Sequence, residues 1–335
     1  MNQTYDAILV VSFGGPEGHE EVMPFLENVL QGKRVPRERM LEVAKHYYHF
    51  GGISPINSQN RALIAALEKQ LNTTSLALPI YWGNRNWHPL LPDTLRQMRD
   101  DGIRRALAFV TSAFSSYSGC RQYREDIAAA QQQVGEGVPQ VDKLRVFFNH
   151  PGFIEPVVER VQDALEQIPS QRHQKTHLVY TAHSIPESMA TSCSYAEQLQ
   201  DACRLVSNRL GDFSWQLVYQ SRSGPPTQAW LEPDICDCLR ELHAQNPDQD
   251  VVVVPLGFIS DHMEVLFDLD TEAKELCQEL GLNMVRAKTV GTHRRFVQMI
   301  CELIMERMQG SQPQALGRLG PNPDVCPEKC CPLVR

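Results

Sequence analysis

The sequence predicts an α/β protein of two similar halves, in which parallel strands alternate with helices. Continuous runs of apolar, often β-branched residues, such as residues 251–254, recur along the chain and are typical of strands buried in a parallel sheet. Helical patterns follow these runs in both halves, as expected for sheets with helices on both faces. The 335 residues suffice for two domains. We expect these at 1–150 and 151–310, followed by a linker and a cysteine tail at 311–335.

Composition excludes several classes of protein. Hydrophobic residues make up 42% and charged residues 21% of the chain, as in ordinary globular proteins. The net charge of −8 argues against general nucleic-acid binding, because contacts with phosphates need a basic surface. No apolar run approaches the ~20 residues of a membrane span. The apolar run at 7–11 has no basic flank and does not resemble a signal peptide. We therefore expect a cytoplasmic protein without a transmembrane segment.

The first half opens with a buried strand at 6–13. Gly14, Gly15 and Pro16 end this strand. The glycine pair is neither a GxGxxG fingerprint nor part of a Walker motif, so nucleotide binding is not expected. Further strands are predicted at 76–82, 106–112 and 144–148, with helices at 20–30, 37–48 and 57–71.

The second half repeats this alternation. It opens with a helix predicted at 152–165. The predicted strands lie at 177–182, 216–220, 250–258 and 283–287, and the remaining helices at 192–210, 228–244, 262–280 and 291–309.

Acidic residues follow the strand that begins at Asp250. Glu264, Asp268 and Glu272 are four residues apart, so they line up on one side of the predicted helix. Like charges at this spacing cost a helix roughly 0.2–0.5 kcal/mol per pair. The row is either a solvated acidic face or a site where a cation relieves the repulsion. A strand end just before the helix favours the second interpretation, since ligands bind beyond the carboxyl ends of parallel strands.

A histidine occupies the same kind of position on another strand. His183 follows the apolar run HLVYTA, and Ser184-Ile185-Pro186 end the predicted strand just after it. A single histidine at a strand end is more often structural than catalytic. Together with the acidic row, however, it offers nitrogen and oxygen ligands that suit Fe(II), Mn(II) or Zn(II), and imidazole also acts as a base near neutral pH.

Five motifs in this chain closely resemble those of the ferrochelatase family, which inserts Fe(II) into porphyrins. They are AHSIP, FISDHMEVLFDLD, GGISPIN, YWGNRNWHP and YQSRSGP, and the resemblance extends from about Tyr5 to Met308. It implies the chelatase fold, with two Rossmann-like halves and a porphyrin cleft between them. GGISPINSQNRALI and SSYSGCRQYRED are most similar to the bacterial branch whose substrate is coproporphyrin III, although protoporphyrin IX remains possible.

The resemblance also implies roles for individual residues. His183 and Glu264 would flank the macrocycle, bind iron and accept protons, while Asp268 and Glu272 would form an outer path for iron. The partners implied are porphyrin, ferrous iron and, transiently, neighbouring enzymes of haem synthesis. Residues expected to contact the porphyrin are Ser54, Tyr123, Tyr47 and Arg85.

Three positions depart from the pattern of some relatives. Phe13 stands where some have a tyrosine that can ligate the product iron, so that contact should be absent. Some relatives also have an arginine where His46 stands and a basic residue near Leu30. Binding of the propionates must then be partly rebuilt, and Lys33 and Arg34 are the candidates.

Three cysteines crowd into the end of the chain, in CPEKCCPLVR. Cys326, Cys330 and Cys331 supply three thiolates, whereas a 2Fe–2S cluster needs four. Some ferrochelatases carry such a cluster with one ligand from the middle of the chain, and the position that resembles this ligand is Cys120. Structural zinc is the rival interpretation, since it also suits four thiolates. Unliganded thiols are the third.

Two further functions are compatible with a porphyrin pocket. One is a non-catalytic carrier of haem or porphyrin, which the presence of both His183 and Glu264 disfavours. The other is a chelatase that inserts cobalt or nickel into another tetrapyrrole.

Overall fold

The computed structural model describes residues 4–32, 35–74, 76–225 and 227–334. The candidate propionate ligands Lys33 and Arg34 lie outside these described residues. The chain forms two compact units, neither of which is one continuous stretch. The first comprises residues 1–111, 122–144 and 300–312, and the second comprises residues 112–121, 145–299 and 313–335.

The first unit contains a four-stranded parallel sheet. Its strands, in chain order, are β1 (Ala7–Ser12), β2 (Ile80–Asn84), β3 (Arg105–Val110) and β4 (Gln140–Lys143). Their spatial order is β2-β1-β3-β4. All six residues of β1 are buried, as expected for a central parallel strand covered on both faces.

Five helices accompany this sheet: α1 (Val22–Val29), α2 (Arg37–His49), α3 (Ile56–Leu71), α4 (Leu91–Asp100) and α5 (Gln122–Val134). Apolar residues of α4 and α5 pack on one face of the sheet, with Leu95 and Ile127 in the same core cluster as Leu9. A separate cluster joins α1 and α2 around Phe25. Its partly buried members include aromatic side chains, namely Phe13, Tyr47, Tyr48 and Trp87.

The second unit contains another four-stranded parallel sheet of the same strand order. Its strands are β5 (Thr176–His183), β6 (Ser214–Gln220), β7 (Asp250–Val254) and β8 (Asn283–Arg286), arranged β6-β5-β7-β8. Its helices begin with α6 (Pro151–Leu165), α7 (Glu187–Ala190), α8 (Tyr195–Leu210) and α9 (Ile235–Gln245). They continue with α10 (Met263–Phe267), α11 (Lys274–Leu280) and α12 (Arg294–Gln309), the last of which also contributes residues to the first unit.

The strand order of the second unit explains where a ligand can bind. The chain leaves β5 toward β6 on one side and reaches β7 on the other side. The connections that leave the neighbouring strands β5 and β7 therefore run in opposite directions, to β6 and to β8. The carboxyl ends of these two strands form a topological switch point, where open α/β sheets bind their ligands. His183 is the last residue of β5, and the acidic residues follow β7.

The predicted α/β class with two parallel sheets is confirmed, but several element boundaries differ. The strand predicted at 144–148 is instead β4, which ends at Lys143. Just after it, the Leu144 amide donates a hydrogen bond to the Ala108 carbonyl of β3 at 2.9 Å. The strand predicted at 76–82 begins at Ile80. The helix predicted at 228–244 begins at Ile235, where Asp234 caps it by accepting a bond from the Cys236 amide.

The helix predicted at 262–280 is interrupted. A π-helical segment, Asp268–Ala273, separates α10 from α11. The buried side chains repeat every four residues, namely Val265, Leu269, Ala273 and Cys277. An α-helix has 3.6 residues per turn, so such a repeat drifts around it, and the wider π turn compensates for the drift.

Among the described residues, no helix combines the length and apolarity needed to cross a lipid bilayer.

Candidate functional site

The site of the second unit is built around His183. Tyr195 donates its hydroxyl hydrogen to the His183 carbonyl at 3.0 Å, and Ser184 donates its amide to the Gln220 carbonyl at 2.8 Å. The Nδ1 atom of His183 is in contact with the Ser184 carbonyl, which therefore fixes the ring orientation. These bonds hold the end of β5 rigidly and direct Nε2 away from the backbone.

The loop after β7 passes directly against β5. The Gly257 amide donates to the Thr181 carbonyl at 2.9 Å. A Cβ atom at this position would lie 2.7 Å from both Cα and Cβ of Ala182, so only glycine allows the approach. The loop then reaches His262, whose Nδ1 accepts a bond from the Glu264 amide at 3.2 Å and caps α10.

This arrangement brings His183 and Glu264 together. The distance between His183 Nε2 and Glu264 Oε1 is 3.5 Å, and the two side chains are 32% and 45% exposed. Burial lowers the pKa of His183, but the Glu264 carboxylate, the Ser184 carbonyl and Asp268 raise it to about 9. Burial conversely raises the pKa of Glu264, but His183 and then His262 lower it to about 2. At neutral pH the pair thus holds one proton, on His183.

Asp268 lies on the other side of Glu264. It accepts hydrogen bonds from Gln220 Nε2 at 3.2 Å and from the Ser221 hydroxyl. Gln220 Nε2 also donates to the Glu264 carbonyl at 3.1 Å, so one amide ties both acidic residues to the end of β6. Burial, with Glu264 and Glu272 nearby, raises the pKa of Asp268 to about 7 despite the bond from Ser221.

The three predicted acidic residues differ in their exposure to solvent. Glu264 and Asp268 are partly buried, whereas Glu272 is exposed. Because the π-helical turn keeps the four-residue repeat on one side, the carboxylates form a series from solvent to His183. This series can guide a divalent cation, since carboxylate oxygens and a neutral imidazole are suitable ligands.

Residues predicted to contact a porphyrin lie in the first unit. Arg85 is only 7% exposed, forms an ion pair with Asp126 and lies 4.5 Å from the centre of the Tyr123 ring. Tyr123 and Ser54 are also buried. Tyr47 is partly buried and packs edge-on against Phe25, at 5.5 Å between ring centres.

His46 cannot supply the charge of the arginine that it replaces. Burial, followed by the nearby Arg39 guanidinium, lowers the pKa of His46 below its ordinary value of 6.5, so the ring is neutral at pH 7. Phe13, which stands where some relatives have a tyrosine, packs edge-on against Phe25 at 6.3 Å. Neither side chain offers a charged or oxygen ligand.

Three of the four candidate cluster cysteines lie near one another in the second unit. The sulfur atoms of Cys330 and Cys331 are 3.4 Å apart. Burial, with the neighbouring thiols of Cys330, Cys120 and Cys193, raises the pKa of Cys331. Cys193 is thus a fourth thiol at this place, which the sequence alone did not indicate. Cys326 is partly exposed.

The tail is bound to the segment that carries Cys120. Arg121 donates from Nη1 to the carbonyls of Glu328 and Cys330, both at 3.1 Å. Further along, Asn322 donates to the Ser115 hydroxyl at 3.0 Å and accepts from Gln198 at 3.1 Å. The tail is therefore an ordered part of the second unit.

Among the residues that the structure describes, no group of three or more His, Cys, Asp or Glu side chains is already arranged to hold a metal ion. Sequence analysis identified the His183–Glu264 pair but missed Gln220, Ser221 and Tyr195. The YQSRSGP motif was the available signal for the first two.

Comparison with known proteins identifies the family of the chain. The family model described as Ferrochelatase matches residues 5–308. A ferrochelatase of Rhodopirellula baltica is 58% identical over 328 residues, covering 98% of this chain and 93% of the relative. A coproporphyrin III ferrochelatase of Streptomyces coelicolor is 50% identical over 351 residues, with the same two coverages of 98% and 93%.

Solved structures are similar in fold. SirB from Bacillus subtilis with Fe³⁺ has a TM-score of 0.58 at 13% identity, covering 92% of this chain and 97% of SirB. At this identity the likeness concerns the fold alone. The family match, by contrast, extends over nearly the whole chain and contains His183, Glu264, Asp268 and Glu272. The chain therefore belongs to the ferrochelatase family and is a ferrochelatase.

Proposed function

We propose that this ferrochelatase inserts Fe(II) into coproporphyrin III during haem biosynthesis. One observation carries the proposal: His183 and Glu264 form a 3.5 Å pair at the switch point of the second unit, at the inner end of a carboxylate series. The choice of coproporphyrin over protoporphyrin IX is supported by the named activity of the Streptomyces coelicolor relative.

Iron enters as a substrate along the carboxylates. Exposed Glu272 meets the hydrated cation first, and partly buried Asp268 receives it next. Gln220 and Ser221 hold the Asp268 carboxylate by neutral hydrogen bonds, which leaves its negative charge available to the cation. The cation then reaches Glu264 and His183, where one oxygen and one nitrogen ligand replace part of its hydration shell.

The His183–Glu264 pair also handles the protons. A cation that binds the imidazole must displace its proton, because only the neutral ring is a ligand. The imidazole stays neutral once that proton has left to solvent. When the iron passes on to the pyrrole nitrogens, the neutral His183 ring and the Glu264 carboxylate can accept the two protons that these nitrogens release. The pair thereby couples arrival of the metal to deprotonation of the macrocycle.

A porphyrin needs a broad apolar surface, and the first unit offers one. The partly buried aromatic residues around Phe25 supply it, namely Phe13, Tyr47 and Trp87. Porphyrin contact by Ser54, Tyr123, Tyr47 and Arg85 stays a prediction. Since Ser54, Tyr123 and Arg85 are buried, direct contact requires neighbouring side chains to move. Arg85, held by Asp126, lies 5.8 Å from the centre of the Phe13 ring and so supports this surface.

The experiment that tests this function compares two substrates. We expect Fe(II) insertion into coproporphyrin III to be at least about tenfold faster than into protoporphyrin IX, expressed as kcat/KM and measured without oxygen by product absorption. Similar rates, or a preference for protoporphyrin IX, would contradict the proposed substrate. Cobalt or nickel insertion into another tetrapyrrole at a higher rate would indicate a different chelatase. Porphyrin binding without turnover would indicate a carrier.

A second prediction concerns pH. Because the pKa of Asp268 is raised to about 7, its carboxyl is protonated and neutral below that pH and attracts cations less. The KM for Fe(II) should therefore rise by up to about tenfold per pH unit as the pH falls from about 7 to about 6.

The Asp268→Asn variant should show a high KM for Fe(II) and a shallower pH dependence, because only the displacement of the His183 proton then remains. Exposed Glu275, on α11, offers a matched control, since Glu275→Gln removes a carboxylate outside the series and should keep the wild-type profile. An Asp268→Asn profile that rises as steeply as that of the wild type would refute the role of Asp268.

We also propose that the chain carries a 2Fe–2S cluster held by Cys120, Cys326, Cys330 and Cys331. The donor set fits, since such clusters are bound by four cysteine thiolates. The 3.4 Å contact between two of these sulfurs and the bonds from Arg121 support a tail that delivers its thiols beside Cys120. When bound, a cluster of this kind supplies one-electron redox chemistry.

Protein purified without oxygen should be reddish-brown and contain about two iron atoms and about two sulfides per chain beyond any substrate iron. Cys331→Ser and Cys326→Ser should lose the colour, whereas Cys193→Ser should keep it. Cys301→Ala should also keep it and serves as a control, since Cys301 is a buried residue of α12. Zinc without sulfide, or colourless metal-free protein, would overturn the cluster. Loss in Cys193→Ser with retention in Cys326→Ser would overturn this choice of ligands.

Two expectations from the sequence stay predictions, namely action in the cytoplasm and transient contact with neighbouring enzymes of haem synthesis.

A further inference from the structure

Arg286 is an interior cation beside the acidic series that the mechanism does not use. It is the last residue of β8 and pairs in register with Val253 of β7. Its side chain is 15% exposed. The guanidinium therefore lies at the carboxyl edge of the same sheet that presents His183 and Glu264.

This guanidinium binds two carboxylates, Asp261 and Asp270, of the acidic segment formed by residues 261–272. Its Nε and Nη2 atoms donate to the two carboxylate oxygens of Asp270 at 2.5 and 2.8 Å. Its Nη1 atom donates to Asp261 at 3.0 Å and to the Ala287 carbonyl at 3.3 Å. The fork to Asp270 is bidentate, which fixes direction as well as distance. Asp261 precedes α10, and Asp270 lies in the π-helical turn, so Arg286 joins the two sides of the segment.

The acidic residues fall into two classes, those paired with Arg286 and those that are not. Residues 261–272 contain five carboxylates, namely Asp261, Glu264, Asp268, Asp270 and Glu272. Two of them share the charge of Arg286, whereas Asp268 is held only by the neutral donors Gln220 and Ser221. A cation is attracted to carboxylates that no other cation already neutralises.

We propose that Arg286 is a positioning residue that fixes the orientation of the segment bearing Glu264 and Asp268. By neutralising Asp261 and Asp270, it also prevents these two carboxylates from binding the iron. This role rests on the proposed path of iron along the carboxylates. Without Arg286, the two released carboxylates would form a competing binding place for a divalent cation. The segment would also lose its fixed alignment with His183.

Arg286→Met tests both consequences. We expect the KM for Fe(II) to rise roughly 10–100-fold, with a smaller change in kcat, because residues that orient metal ligands commonly have effects of this size. Equilibrium dialysis with cobalt(II) alone should show one more ion bound per chain than in the wild type. Neutralising the released residues in Arg286→Met/Asp261→Asn/Asp270→Asn should remove that extra ion.

A matched control exists at the opposite edge of the sheet. Arg172 donates to Asp250, at the start of β7, at 2.6 Å and to Asp248 at 3.0 Å. Arg172→Met therefore breaks a similar pair of ionic contacts far from the strand ends that bear the site. It should leave the KM for Fe(II) and the cobalt count at wild-type values, because Lys175 still neutralises Asp248 and Asn283 still donates to Asp250.

Arg286→Lys is a more conservative variant that tests the same proposal if Arg286→Met does not fold. It keeps the charge but loses the fork, so we expect a raised KM and a wild-type cobalt count. A wild-type KM in Arg286→Lys, or a wild-type KM and cobalt count in folded Arg286→Met, would overturn the proposal. The cobalt count needs no turnover, and failure of the proposed function itself would appear separately, as a wild-type protein that metallates no porphyrin.

Discussion

The ion pair between His183 and Glu264 is the interaction on which the rest of the site depends. Each residue shifts the pKa of the other in the direction that keeps both charged, so the pair stores one proton at neutral pH. A cation that replaces this proton changes the basicity of both groups at once. The fold serves this coupling by ending β5 at His183 and returning the chain from β7 beside it, through the close approach at Gly257.

Neighbouring donors decide what each carboxylate can do. Neutral donors, Gln220 and Ser221, orient Asp268 without cancelling its charge, while the cationic Arg286 binds and neutralises Asp270. An acidic segment can thus contain both structural and metal-attracting carboxylates at neighbouring positions. Glu264 and Asp268 are partly buried, whereas Glu272, farthest along the segment from Glu264, is exposed, so the proposed path of the cation runs inward from Glu272.

The sequence predicted the features that depend on short-range patterns. Buried strands appear as apolar runs, and residues just after them lie at the sheet edge, which is how His183 and the acidic row were found. Features that depend on distant partners could not be predicted. A four-residue repeat looks like one face of an α-helix, so the π-helical turn at Asp268–Ala273 was missed. The ion pair of Arg286 with Asp270 and the place of Cys193 among the other thiols depend on residues that only the fold brings beside them.

The central claim is that His183 is needed for metal insertion and not for the fold or for holding the macrocycle. His183→Ala should bind coproporphyrin III with nearly wild-type affinity in a fluorescence titration, yet lose Fe(II) insertion by a factor of about 10³ or more. His177 lies at the opposite end of β5, so His177→Ala should retain both properties and serves as the control. Turnover near the wild-type rate in His183→Ala, with porphyrin bound, would contradict the account.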